Sequence, residues 1–238
     1  MPTFSRILKF FSKRAPAPRG FTLVELLVVS LIIVFITAFV LFRQQGFNSA
    51  TLLRSLAYGI ALSVRQAQVY GVSVRESAVG SGVFATGYGV YFGNSQLPVP
   101  TSVHYSLFAD ANSDGEYALS ESVNMFKIGN GRGTDYLIKN ICAHSITTGD
   151  QCSASFPATS PTINSLSIYF RRPNPDACFA TSESPTACAT ATTPPVYDYA
   201  YVQIGAFGGG DWRTIKITNT GQIAVCKPNL DAEGVEDC

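Results

Sequence analysis

The densest set of metal-type ligands in this 238-residue chain lies at 110–121, DANSDGEYALSE. Asp110, Asn112 and Asp114 stand first, third and fifth, Gly115 sixth, Glu116 seventh and Glu121 twelfth, which fits the D-x-[DN]-x-[DN]-G-x5-E calcium loop. The chemistry needs that spacing. A tight turn at the glycine wraps oxygen ligands around a hard cation, the seventh residue offers its carbonyl, and the twelfth closes the cage with two oxygens. The flanks HYSLFAD and ESVNMFKIG look extended, so the expectation is a lone, structural calcium loop inside a β-rich domain and not a helix-loop-helix pair. The plain alternative is an acidic turn that holds no ion.

Another acid is conspicuous by its surroundings. Residues 21–42, FTLVELLVVSLIIVFITAFVLF, contain no Pro, no Gly and one charge, Glu25. As a helix at about 1.5 Å per residue they span roughly 33 Å, enough for a bilayer's hydrocarbon core. A carboxylate inside such a span costs about 2.5 kcal/mol at the centre and less near the interface, so it commonly marks a partner. The bland reading leaves Glu25 solvated among headgroups.

Six cysteines, Cys142, Cys152, Cys178, Cys188, Cys226 and Cys238, all follow residue 140. Six allow 15 pairings. The short gaps 142–152, 178–188 and 226–238 favour sequential pairs, each stapling a loop by about 2–4 kcal/mol. No CxxC occurs and neither His104 nor His144 has zinc-like spacing, so disulfides outside the cytoplasm are expected over a metal cluster. Catalytic signatures are missing: there is no G-x-S-x-G, H-E-x-x-H or P-loop. The glycine runs at 129–133 and 205–210 read as turns, His104 as part of a strand and His144 as part of a cysteine-flanked loop.

Gly20, Phe21, Thr22, two aliphatics and Glu25 spell GFTLVE behind a basic leader. This resembles the prepilin signal of type IV pilins and of type II secretion pseudopilins. The resemblance implies that a membrane-embedded prepilin peptidase removes residues 1–20 and methylates Phe21, and that Glu25 then pairs with the N-terminal amine of a neighbouring subunit. It also implies a single-pass chain in the bacterial inner membrane with its C-terminal domain outside the cytoplasm. Its partners would be other pilin or pseudopilin subunits, the inner-membrane assembly platform and lipid, in a filament in the periplasm or at the cell surface. The stretch RSLAYGIALSVRQAQVYGVSV with a late TIKITNTGQIAV hairpin is similar, more loosely, to the minor pseudopilin or minor pilin branch. The alternative is a membrane-anchored, calcium-dependent binding or adhesion module that does not polymerise.

The leader holds Arg6, Lys9, Lys13, Arg14 and Arg19 and no acid, which keeps it cytoplasmic by the positive-inside tendency. Taking those 5 from the 17 basic residues leaves 12 against 16 acidic ones, a net charge of −4 and no electrostatic footprint for nucleic acid. A secretory signal also begins basic and turns apolar, but its core runs about 7–15 residues to a small-residue cleavage site. Here the apolar run is longer and reaches Phe42-Arg43 without an A-x-A.

These groups need a scaffold. Leu53, Leu56, Ala57, Ile60, Val64 and Ala67 recur at helical steps, so one helix is expected over 21–70, apolar all round to 42 and amphipathic over 43–71. Residues 72–238 read as a β-rich domain with strands at 72–79, 88–92, 103–108, 123–128, 136–141, 166–170, 199–204 and 214–218. The last turns through Asn219-Thr220-Gly221 into 222–225 as a hairpin. Residues 143–195, rich in Ser, Thr, Ala, Pro and Cys, read as exposed loop elaboration. The expected fold is α+β and pilin-like: a long N-terminal helix on one antiparallel sheet with disulfide-stapled loops.

Overall fold

The structure, a computed structural model, describes residues 20–76, 80, 82, 84, 87–93, 104–128, 136–153, 163–188, 195–206 and 211–227, without the side chains of 43–49. Residues 1–19 of the expected 1–20 leader, and Cys238, lie outside the described residues. Two compact units divide the chain, Met1–Phe47 and Asn48–Cys238. The α-helix α1, Leu23–Val72, supplies residues to both.

In the first unit α1 starts on a cap. The Glu25 N–H donates to Thr22 Oγ1 at 3.2 Å, the T-x-x-E spacing that satisfies an orphan amide at a helix start. Leu23–Phe42 is long and apolar enough to cross a membrane, with a mean hydropathy of 2.9. Its internal hydroxyls are satisfied within the helix: Ser30 Oγ donates to the Leu27 carbonyl at 2.9 Å and Thr37 Oγ1 to the Ile33 carbonyl at 2.9 Å.

In the second unit the helix presents a stripe. Leu53, Ala57, Ile60, Val64 and Ala67 are buried, at the three- and four-residue steps of one helical face. Leu56 is half-buried against the same core. Among the described residues ten strands follow: β1 Gly87–Gly93, β2 His104–Asp110, β3 Ser122–Lys127, β4 Tyr136–Ser145, β5 Gly149–Cys152, β6 Ser165–Arg171, β7 Ala177–Thr181, β8 Tyr199–Ala206, β9 Trp212–Thr218 and β10 Ile223–Cys226. They form two five-stranded sheets, β3-β2-β1-β6-β7 and β10-β9-β8-β4-β5, in which every pair is antiparallel.

The two sheets correct the expectation of one. The chain builds β1 to β3, crosses for β4 and β5, returns for β6 and β7, and crosses again for the last three. The inner faces alternate with the strand period, Val90, Leu107 and Ile168 from one sheet and Ile141, Val202 and Ile215 from the other, and join the helical stripe in one core. Covering both apolar faces requires this arrangement, because a single helix stripe is too narrow to shield ten strands.

Three further expectations change. Residues 72–79 are not a strand: α1 runs to Val72, Glu76 makes only an isolated bridge to Phe84, and 77–79 lie outside the described residues. Just before it, within the helix, Tyr70 meets Tyr88 edge-on with ring centroids 5.5 Å apart. The region 143–195 contributes three strands, so it is scaffold as well as loop. His144 sits in β4 rather than in a loop. The hairpin across 219–221 forms as expected, with Ile223 facing Ile217 and the Gly221 N–H donating to the Thr218 carbonyl at 2.9 Å.

Candidate functional site

The acidic loop closes over the outer face of the first sheet. Asp110 ends β2 and is fully buried. Its Oδ1 accepts the Ser113 N–H at 2.7 Å and its Oδ2 the Gly115 N–H at 3.3 Å, so the first ligand position folds the loop around itself. Ser113 and Gly115 both have positive φ, 68° and 75°. Glycine takes that conformation at no steric cost, whereas serine gives up about 1–2 kcal/mol, which its hydrogen bond to Asp110 offsets.

Asp110, Asp114 and Glu121 bring one carboxylate oxygen each within 4.8 Å of one another. Asn112 joins them, its Nδ2 donating to Asp114 Oδ2 at 2.6 Å while its Oδ1 accepts the Asp114 N–H at 3.1 Å. Glu116 contributes its N–H to Asp114 Oδ1 at 2.8 Å, and its carboxylate stays outside the convergent trio. Glu121 reaches back to the loop start: Oε1 accepts the Ala111 N–H at 3.1 Å and Oε2 the Ala118 N–H at 3.2 Å. Burial raises the Glu121 pKa above its ordinary value, the three backbone N–H groups oppose that rise, and the Asp110 charge adds to it.

An all-oxygen set of this kind is the donor chemistry of hard cations. Three carboxylates so close repel one another, and a divalent ion between them would remove that repulsion. Asp110, Asp114 and Glu121 therefore could hold a metal ion, each supplying one carboxylate oxygen.

Sequence patterns missed what stands behind the loop. Tyr169 on β6 donates its hydroxyl to Asp110 Oδ2 at 2.6 Å. Tyr117, from within the loop, stacks on Tyr91 at 4.2 Å and meets Phe108 edge-on at 5.5 Å. These rings fit because β1 carries glycine on that face: a Cβ at Gly89 would lie 2.5 Å from Phe108 Cε1, and one at Gly87 2.5 Å from Tyr169 Cζ. The signal was present in GYGVYFG, whose glycines and Tyr91 share one face of the strand while Tyr88, Val90 and Phe92 share the other.

At the other candidate centre, Gly20 and Phe21 precede α1 and are exposed, and Glu25 stands in its first turn, also exposed. The cysteines pair in sequence where they are described. Cys142 and Cys152 face each other across β4 and β5 and are bonded, and Cys178 on β7 is bonded to Cys188 in the 3-10 turn Pro185–Cys188. Cys226 is also disulfide-bonded. His144 Nδ1 lies 2.6 Å from Asp150 Oδ1, and its ring stacks on Tyr199 at 4.6 Å. Compared with known proteins, the chain matches no family model, no curated protein and no solved structure.

Proposed function

We propose that this chain is a structural subunit of a type IV pilus or type II secretion pseudopilus, cleaved between Gly20 and Phe21 and assembled through the first half of α1. The observation that carries the reading is an apolar helical segment, Leu23–Phe42, exposed along its whole length, whose one charge is Glu25 in the first turn. A twenty-residue, mainly apolar segment with no cover of its own needs lipid or other helices.

Cleavage after Gly20 would put a new cation two residues before the helix start. The helix macrodipole disfavours a cation there by about 0.3–1 kcal/mol, and lipid disfavours an unpaired Glu25 by more. A staggered neighbour relieves both at once when its amine meets Glu25. Partners on this reading are the prepilin peptidase, sister subunits, the assembly platform and membrane lipid.

Glu25 also has a local use, as the third residue of the capped first turn. That use alone would serve a tethered module that never polymerises. Glu25→Gln separates the two, because glutamine keeps the capping geometry and discards the charge. Filament incorporation should fall to background in Glu25→Gln while the outer domain's melting temperature stays put; normal incorporation would favour the tether.

Calcium in the 110–121 loop belongs to the same reading as a stabiliser of the exported domain. An ion that binds only the folded form at a hundred times its Kd adds about 2.7 kcal/mol. Calcium should raise the melting temperature of the parent and leave that of Asp110→Ala/Asp114→Ala unchanged. A parent indifferent to calcium would end the metal assignment without touching the assembly reading.

A further inference from the structure

A cleft of about 490 Å3 lies beside β7, the outer strand of the first sheet, within the size range of ligand sites, roughly 300–1,000 Å3. The outer edge of β7 is tied down at both ends. The Ala177 N–H donates to the Asn219 carbonyl at 2.8 Å, and Thr181 exchanges bonds with Ser184, donating at 3.3 Å and accepting at 3.0 Å. Both residues therefore face away from β6, and by the two-residue period Phe179, midway between them, does so too. Phe179 lines the cleft, and among the described residues no hydrogen bond meets its N–H or its carbonyl from that side. An extended peptide pairs at every second residue and would find the positions on either side of Phe179 taken. What the edge offers is one donor and one acceptor, side by side and pointing the same way. Two adjacent hydroxyls answer that pair, one accepting from the N–H and the other donating to the carbonyl.

The other polar groups of the cleft suit the same chemistry. The side chains of Asn174 and Asp176, both exposed, and of Asn219, half-buried, line it and hold no hydrogen bond or ion pair among the described residues. Two amides and a carboxylate supply donors and acceptors for further hydroxyls. Charge points to a neutral ligand. Arg171 and Arg172 also line the cleft; each already has an interaction of its own and takes no part in recognition, but their charges disfavour a cation there, as that of Asp176 disfavours an anion. Val196, 41% exposed, gives the cleft an apolar wall for the carbon face of a ring. We propose that this cleft binds a neutral saccharide, two adjacent hydroxyls pairing with the Phe179 main chain and others with Asn174, Asp176 and Asn219. The site goes beyond the filament reading and does not use Glu25.

The test incubates the full chain, fluorescently labelled and held in a sugar-free polyoxyethylene detergent, with an array of neutral and sialylated oligosaccharides; the brightest neutral glycan is then titrated by ligand-observed NMR. Binding should saturate, weaken about tenfold or more when the glycan is O-methylated, weaken by a similar factor in Asn174→Ala/Asp176→Ala, and stay unchanged in Glu25→Gln. Both substituted side chains are exposed, so the double variant should melt with the parent. An array on which no neutral glycan binds, an O-methylated glycan that binds as well, or a folded double variant with the parent's affinity overturns the proposal. The O-methylated arm needs no variant to fold.

Discussion

Between 23 and 42 every residue of α1 is exposed, whereas between 53 and 68 the same helix buries one or two residues in each turn. The backbone hydrogen bonding is alike in both stretches, so the difference lies in side-chain pattern alone. A 3.6-period stripe tells a helix which face to bury and can be covered from within the molecule. A run that is apolar all round has no such preference and must be covered from outside, by lipid or by other helices. The packed stretch therefore reports on folding and the bare stretch on the environment.

The sharpest way to break that contrast is to place the same charge in each stretch. Val64→Asp puts a carboxylate at a site with no solvent exposure and should cost more than about 4 kcal/mol, seen as loss of the cooperative melting transition. Val34→Asp, at a 65% exposed site, should leave that transition alone and reduce membrane insertion by about 2.5–3.5 kcal/mol in a glycosylation-mapping assay. If Val34→Asp also abolished the transition, the two stretches would not be separate in function.

Truncation should follow the same division with smaller amplitude. Leu53→Ala removes a fully packed side chain and should lower stability in urea by about 2–5 kcal/mol, while Leu31→Ala should stay within about 0.5 kcal/mol. Gln68 is smaller again in effect. From the buried face its Nε2 donates to the Pro175 carbonyl at 2.8 Å and to the Gly221 carbonyl at 3.0 Å, pinning two turns to the helix. Gln68→Ala strands both carbonyls and should cost about 1–3 kcal/mol by the same measurement. Least of all, Thr22→Ala removes the cap of the bare stretch; it should fray the first turn by about 1 kcal/mol, visible as faster amide exchange at residues 23–25 and nowhere in the domain.

The helix was legible in the sequence because its two patterns are long and each is periodic in a single way. Predicted over 21–70, it runs from Leu23 to Val72, and five of the six stripe residues are fully buried. Hairpins joined by short turns, such as 214–225, were equally readable, since the turn residues dictate the partner. The division into two sheets was not. It depends on which strands pair after long connections, as β1 does with β6 and β4 with β8, and no local pattern encodes that choice. The strands β5, GDQC, and β7, ACFAT, were passed over because they are short and polar or small-residued. Their disulfides, one across β4 and β5 and one from β7 to the turn at Cys188, mark them where composition does not.

The loop at 110–121 shows the same division between local and distant information. Ligand spacing, the Gly115 turn and the return of Glu121 were all visible in twelve consecutive residues. Tyr169, which holds Asp110 from 59 residues away, was not. A hydroxyl two strands away leaves no trace in the spacing of the ligands it orients.

The central claim, that the bare stretch is an assembly helix exposed by cleavage, is tested most directly by tandem mass spectrometry of the protein taken from bacterial membranes containing a prepilin peptidase. The account predicts that the N-terminal peptide begins at Phe21 and carries one methyl group on its amine. A chain that still carries residues 1–20, or one cut on the far side of Phe42, would contradict it.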